Sequence, residues 1–149
     1  TLDLLTKPDQ LPAAARLVAA NPQTRFVLDH LSKPTMRDAD YDAWAAGISA
    51  VAANPQVACK LSGFLTFDAG MTTQRLRPYY DHLLASFGAE RILFGSDWPV
   101  SVLGGGYPRA VEIVEELTAD LDDAARDRIW RATALEWYPA AAKRLASRS

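Results

Sequence analysis

The sequence predicts an α/β fold in which parallel strands alternate with helices, and three observations carry that expectation. First, the hexapeptide VAANPQ occurs twice, at residues 18–23 and 51–56, a spacing of 33 residues. Each copy closes a helix-like stretch and opens a strand-like one. Second, a third strand-like run, residues 91–97, follows a third helix-like stretch, so the unit recurs. Third, each strand-like run ends on polar residues: Asp29 and His30, Lys60 and Ser62, Ser96 and Asp97. Strands separated by helices form a parallel sheet, in which such endings share one edge. Ankyrin-type solenoids have a similar period, but a strand in every unit argues against them.

The chain opens on the apolar run TLDLL, as if entering partway through a strand, which predicts a piece of something longer. A first helix is expected after Asp9 as N-cap, with Pro12 in its first turn and Leu11, Ala15, Val18 and Ala19 on one face. A second is expected after Asp40, with Tyr41, Trp44, Ile48 and Val51 on one face. Asn-Pro ends both, because the residue before proline is pushed out of the helical region. A third helix runs from Thr73 to Gly88, its C-cap. Beyond Asp97 comes a flexible stretch containing Gly104, Gly105 and Gly106, then helices over 108–119 and 122–145. The glycine run lacks the spacing of a phosphate-binding loop; a loop partly covering the strand tips is expected instead. No composition break marks a second domain, so residues 1–149 read as one unit.

With 149 residues, 49% of them hydrophobic and 23% charged, the chain has the composition of an ordinary soluble domain. Lys and Arg (16) nearly balance Asp and Glu (18), so there is no basic surplus for nucleic acid. No apolar run approaches the about 18 residues of a membrane span, and no charged-then-apolar leader is present. One cysteine, Cys59, makes neither an intrachain disulfide nor a cysteine-based metal site and fits a reducing cytoplasm. The expectation is a cytoplasmic protein with no nucleic-acid or membrane partner.

Ile92, Leu93 and Phe94 read as a strand covered on both faces. Gly95 and Ser96 let the backbone turn, and Pro99 cannot continue a central strand. Asp97 therefore stands at a strand's C-terminal tip, where parallel α/β proteins build their sites. The alternative is that it caps a turn. His30 suits a metal ligand or a carbonyl-polarising group, against a core histidine satisfied by a backbone carbonyl. Lys60 interrupts a strand otherwise fit for burial, where a lysine is costly unless paired or reaching the open edge. Binding of a substrate carboxylate or hydroxyl is one way to satisfy it. Trp98 is a substrate-pocket wall or a loop-covering aromatic. His82 reads as a helix packing residue, and Lys7 and Lys33 as solvated loop residues.

The segments FVLDHLSKP (26–34), CKLSG (59–63) and LFGSDWPV (93–100) together resemble the amidohydrolase superfamily, and within it the lactonase-like amidohydrolase-2 branch. The likeness extends from LDLLTKPDQL near the start to ATALEWY near the end. It implies the C-terminal half of a TIM-type (β/α)8 barrel with its site at the C-terminal strand ends. Asp97 would end strand eight, CKLSG would be strand seven, FVLDH strand six and LDLL the end of strand five. A complete barrel takes about 250 residues. The first four strands, and the His-x-His pair the family carries on strand one, are not in this sequence. Ser32 stands where the family usually has Gly, and Thr133 where it usually has Asn.

The resemblance implies a hydrolase in which Asp97 takes a proton from an attacking water. His30 would polarise the carbonyl or, with Asp97, bind a metal. Lys60 and Trp98 are the expected substrate contacts. The implied cofactor is a divalent metal such as zinc, or none, since branch members differ. The implied partner is a small lactone or carboxylate substrate. Two alternatives stand beside this: a truncated or degenerate α/β product without activity, and a decarboxylase of the same superfamily. The chain alone is expected to be inactive, with unpaired strand edges, strands lacking part of their opposing layer, exposed apolar surface, self-association or poor solubility, and at most two of the usual ligand positions.

Overall fold

The computed structural model describes residues 1–68 and 70–146. Four strands, β1 (Leu2–Leu4), β2 (Phe26–Leu28), β3 (Val57–Leu61) and β4 (Ile92–Phe94), pair in parallel and lie side by side in chain order. Helices α1 (Leu11–Ala19), α2 (Asp38–Ala52) and α3 (Thr73–Phe87) make the crossovers, and α4 (Gly106–Leu117) follows β4. Leu4 pairs with Leu28, Leu28 with Cys59 and Leu61 with Phe94, so every strand tip lies along one edge. The alternation expected from the repeat is therefore the alternation observed.

Neighbouring strand residues point to opposite faces. Phe26, Leu28, Val57, Cys59, Leu61 and Ile92 face the helices and join Leu11, Trp44, Ile48 and Leu83 in one buried cluster. Val27, Ala58 and Leu93 face the other way and pack against Trp137. This cover corrects one expectation. The second face is not bare apolar surface, since Val27 and Ala58 are 0% exposed and Leu93 is 2% exposed.

Trp137 reaches that face because the chain's last helical stretch is broken. In place of one helix over 122–145 there are α5 (Asp123–Asp127), a π turn (Arg128–Ala132), α6 (Thr133–Trp137) and α7 (Pro139–Ala146). Pro139 pushes Tyr138 out of the helical region, to φ −121° and ψ 67°. The bend lays Trp137 under the sheet, where its carbonyl accepts from Thr1 Oγ1 at 2.5 Å and Arg25 lies 5.6 Å from its ring.

Other boundaries moved for local reasons. Asp9 does not cap α1; it lies in a 3-10 turn, Pro8–Gln10, closed by Lys7 N donating to Gln10 Oε1 at 2.9 Å. Pro12 does sit in the first turn of α1. Helix α2 starts at Asp38, ahead of Asp40, and both carboxylates fall in its first turn, where the helix dipole favours them. Helix α3 follows expectation, with Thr72 as N-cap and Gly88 after its end at φ 66°. The glycine run is no loose loop. Val100–Gly104 is a 3-10 turn and α4 begins at Gly106. Gly104 presses on backbone, for a Cβ there would stand 2.1 Å from the Leu65 carbonyl oxygen.

Candidate active site

At the tip of β2 the chain passes Asp29 and then holds four consecutive residues, His30 to Lys33, at left-handed φ of 54°, 51°, 57° and 51°. Each non-glycine residue in this region costs of order 1–2 kcal/mol, so neighbours must hold the turn. Trp44 Nε1 donates to the Leu31 carbonyl at 2.7 Å, and the hydroxyls of Ser32 and Thr6 meet at 2.7 Å. Leu31 and Ser32 are fully buried. The turn swings His30 over the tip of β3, where its Nδ1 meets Ser62 Oγ at 2.7 Å. Gly63 makes room for the ring, since a Cβ there would lie 2.8 Å from His30 Cβ.

At the tip of β4, Asp97 also has a left-handed backbone, φ 53°. The turn after it is closed by other groups. The Asp97 carbonyl accepts from Ser101 N at 2.8 Å, and Ser96 Oγ accepts from Trp98 N at 3.2 Å. The Asp97 carboxylate faces His30 instead, with Oδ1 3.6 Å from Nε2 and the two side chains 16% and 21% exposed. That separation is too long for a good direct hydrogen bond, and it lets one oxygen atom contact both groups. Backbone held in unfavourable φ/ψ concentrates at functional sites, and here it delivers both side chains. Between them opens a cleft of about 350 Å³, whose walls include Leu5, Lys33, Thr66, Phe67 and Val100.

Lys60 is placed differently. It lies on the sheet face away from the helices, with Nζ 2.7 Å from Asp29 Oδ1 and 3.3 Å from Asp3 Oδ1. The Tyr138 hydroxyl donates to the same Asp3 carboxylate. Burial pulls the Lys60 ammonium pKa down, but hydrogen bonding to Asp29 and Tyr138 outweighs it and leaves the group above the usual lysine range. Burial, then the bond to Asp3, pushes the Tyr138 phenol up to about 12. Trp98 is 69% exposed and does not line the cleft. His82 lies against α2, its Nε2 2.9 Å from the Ala45 carbonyl. Burial raises the Cys59 thiol pKa, which keeps it inert.

Ser62 and Gly63 were legible as a polar strand ending followed by a glycine, but only the fold ties them to His30. Lys33 carries no signal beyond its three-residue spacing from His30, which means little until the handedness of the turn is known. The Asp3–Tyr138 contact spans 135 positions and has no local signature.

As a metal centre this donor set is short. A catalytic zinc takes three protein ligands and an open position. His30 and Asp97 are two, and no group of three or more His, Cys, Asp or Glu comes together among the described residues.

A strand-tip cleft on parallel strands crossed by helices is the layout of barrel hydrolases. Residues 1–140 match the family model for amidohydrolases, and the chain belongs to that family. Among the relatives it is similar to are two L-fucono-1,5-lactonases. That of Burkholderia ambifaria is 42% identical over 107 residues, covering 70% of this chain and 37% of that protein. That of Burkholderia multivorans is 35% identical over 148 residues, covering 91% of this chain and 50% of that protein. A solved amidohydrolase structure from Burkholderia multivorans with bound zinc superposes at TM-score 0.84 with 36% identity, over 92% of this chain and 51% of that one. The chain therefore spans about half or less of the length of the relatives it matches, and its sheet is part of a TIM-type barrel. Among the described residues no helix is long and apolar enough to cross a membrane.

Proposed function

We propose that this chain carries the general base of a lactone hydrolase, Asp97, together with its partner His30, as the C-terminal portion of a single barrel domain. The observation that supports this most is their meeting at 3.6 Å in a strand-tip cleft, from two different strands. The substrate is a sugar lactone or a related small cyclic ester, the class to which the named relatives point.

In this mechanism the Asp97 carboxylate accepts a proton from a water molecule as the water oxygen bonds to the lactone carbonyl carbon. Ser62 donates its hydroxyl hydrogen to His30 Nδ1, which leaves the His30 proton on Nε2, facing the cleft. From there it donates to the carbonyl oxygen as that oxygen becomes anionic. When the tetrahedral intermediate collapses, the ring C–O bond breaks and Asp97 returns its proton to the departing alkoxide. The product is an open-chain hydroxy acid, which loses its carboxyl proton to solvent and leaves as the carboxylate. Lys60 contributes from the interior wall, where its charge is shared with Asp29 and Asp3.

The test is Asp97→Asn in the intact protein, which keeps shape and removes the base. Turnover of L-fucono-1,5-lactone is expected to fall roughly 10²–10⁴-fold, the usual scale for a lost general base, with the melting temperature unchanged. Near-normal turnover with a lowered melting temperature would assign Asp97 to the turn instead. The chain by itself is expected to show no Asp97-dependent hydrolysis, followed as acid release; robust turnover by the chain alone overturns the partial-barrel account of the activity.

A further inference from the structure

The left-handed turn after β2 does more than place His30. A left-handed turn of about three residues puts positions i and i+3 on one side, and the Lys33 N–H donates to the His30 carbonyl at 2.7 Å. His30 and Lys33 accordingly both line the cleft, while Leu31 and Ser32 between them are buried in the core. The strain that orients the histidine therefore delivers a lysine beside it.

Lys33 is half-buried and, among the described residues, its ammonium has neither an ion pair nor a hydrogen bond. None of its acidic neighbours makes an ion pair with it, including Asp9, which lines a second pocket with it. Asp40, in that same pocket, is held by Arg37 at 3.0 Å and by the Thr35 hydroxyl at 2.7 Å. Asp29 is held by Lys60. A half-buried lysine without a partner, in a cleft whose other charged wall group is Asp97, is set up to receive an anion. Ring opening of a lactone generates one, a carboxylate formed within reach of Asp97, which repels it.

We infer that Lys33 is a specificity-determining residue that binds the carboxylate end of the ring-opened acid; this rests on the hydrolase reading above. Its ammonium offsets the repulsion from Asp97 and fixes which end of the ring faces His30. Lys7, an unpaired lysine in the adjoining pocket but not in the cleft, provides the control for general positive charge.

The experiment is calorimetric binding to the intact protein of L-fuconate, the acid that L-fucono-1,5-lactone yields, and of L-fucitol, the neutral polyol that lacks the carboxylate. Lys33→Met is expected to weaken L-fuconate roughly 10- to 100-fold, the scale of one charge-assisted hydrogen bond, and to leave L-fucitol within about twofold. Lys33→Arg should keep most of the L-fuconate affinity, and Lys7→Met all of it. Unchanged L-fuconate binding in Lys33→Met, in a protein whose lactone turnover depends on Asp97, overturns this inference alone. A wild-type protein that neither turns over the lactone nor binds L-fuconate overturns the hydrolase reading with it.

Discussion

The two faces of the sheet are built from opposite kinds of side chain. Toward the helices stand Phe26, Leu28, Val57, Cys59, Leu61 and Ile92, apolar without exception and sealed from water. On the other face small apolar groups, Val27, Ala58 and Leu93, are interleaved with Asp3, Asp29 and Lys60. The first face is a core in the ordinary sense, where burying each large side chain contributes about 1.5–3 kcal/mol. The second is the interior of a partial barrel, held by one aromatic cap and an ion cluster that ties β1, β2 and β3 to Tyr138. The helix face supplies stability, and the interior face supplies orientation for the strand tips.

The sharpest way to break this contrast is at Trp44. It is 1% exposed on the helix face, and its Nε1 also holds the Leu31 carbonyl inside the left-handed turn. Trp44→Ala is expected to cost about 3–5 kcal/mol in urea unfolding, as a large aromatic cavity does. Trp44→Phe keeps most of the volume but strands the Leu31 carbonyl, for about 1–3 kcal/mol. A loss under 1 kcal/mol in the alanine variant would mean that the helix face is not the main source of stability.

On the interior face Lys60→Met leaves Asp29 and Asp3 facing each other. The expected loss is about 2 kcal/mol, below the 3–5 kcal/mol of a fully buried pair, because the Lys60 side chain keeps 23% of its exposure. The cluster also sets an alkaline limit. Lys60 and Tyr138 both hold their protons more tightly folded than unfolded, with Tyr138 at about 12. Above the unfolded values, near pH 10 for both groups, the folded state binds more protons, so stability falls as pH rises. Unfolding free energy should therefore be level through neutral pH and decline from about pH 10 toward 12, with a shallower decline in Lys60→Met. An unchanged alkaline slope in that variant would remove Lys60 from the account.

Gly63 joins the two faces at the strand tips. Its φ of 74° and the 2.8 Å approach of His30 both oppose a side chain. Gly63→Ala is expected to cost about 1–2 kcal/mol and to reduce lactone turnover beyond that loss, since His30 must move. Full activity at a lowered melting temperature would show that the ring's position is not critical.

What the sequence makes legible follows the same division. Helix-face residues announce themselves through periodicity, so α1, α2, α3 and the strands were visible, as was the shared edge bearing His30 and Asp97. Interior-face partners were not. Lys60 is anomalous in its strand on sequence alone, but its satisfaction by Asp3, Asp29 and Tyr138 depends on the bend at Pro139, which places a distant residue under the sheet. The left-handed run His30–Lys33 escaped for a related reason: no glycine signals it, and its support comes from Trp44 and Thr6, outside the turn.

The smallest effect is expected at Trp98, which belongs to neither face. At 69% exposure it contributes little to packing, so Trp98→Ala should change stability by no more than about 0.5 kcal/mol. It nonetheless follows Asp97 directly, and the exposed Val100 two residues further on lines the cleft. Its exposure directly after Asp97 makes it the candidate surface for one face of a substrate ring. One such contact is worth about 0.5–1.5 kcal/mol, so the KM for a lactone is expected to rise about 2- to 10-fold in Trp98→Ala, with kcat held within about twofold. Steady-state kinetics on the intact protein, run beside a thermal melt, separates the outcomes. A raised KM at constant melting temperature makes Trp98 a substrate contact. An unchanged KM leaves it a loop aromatic, and recognition then falls to the cleft residues alone.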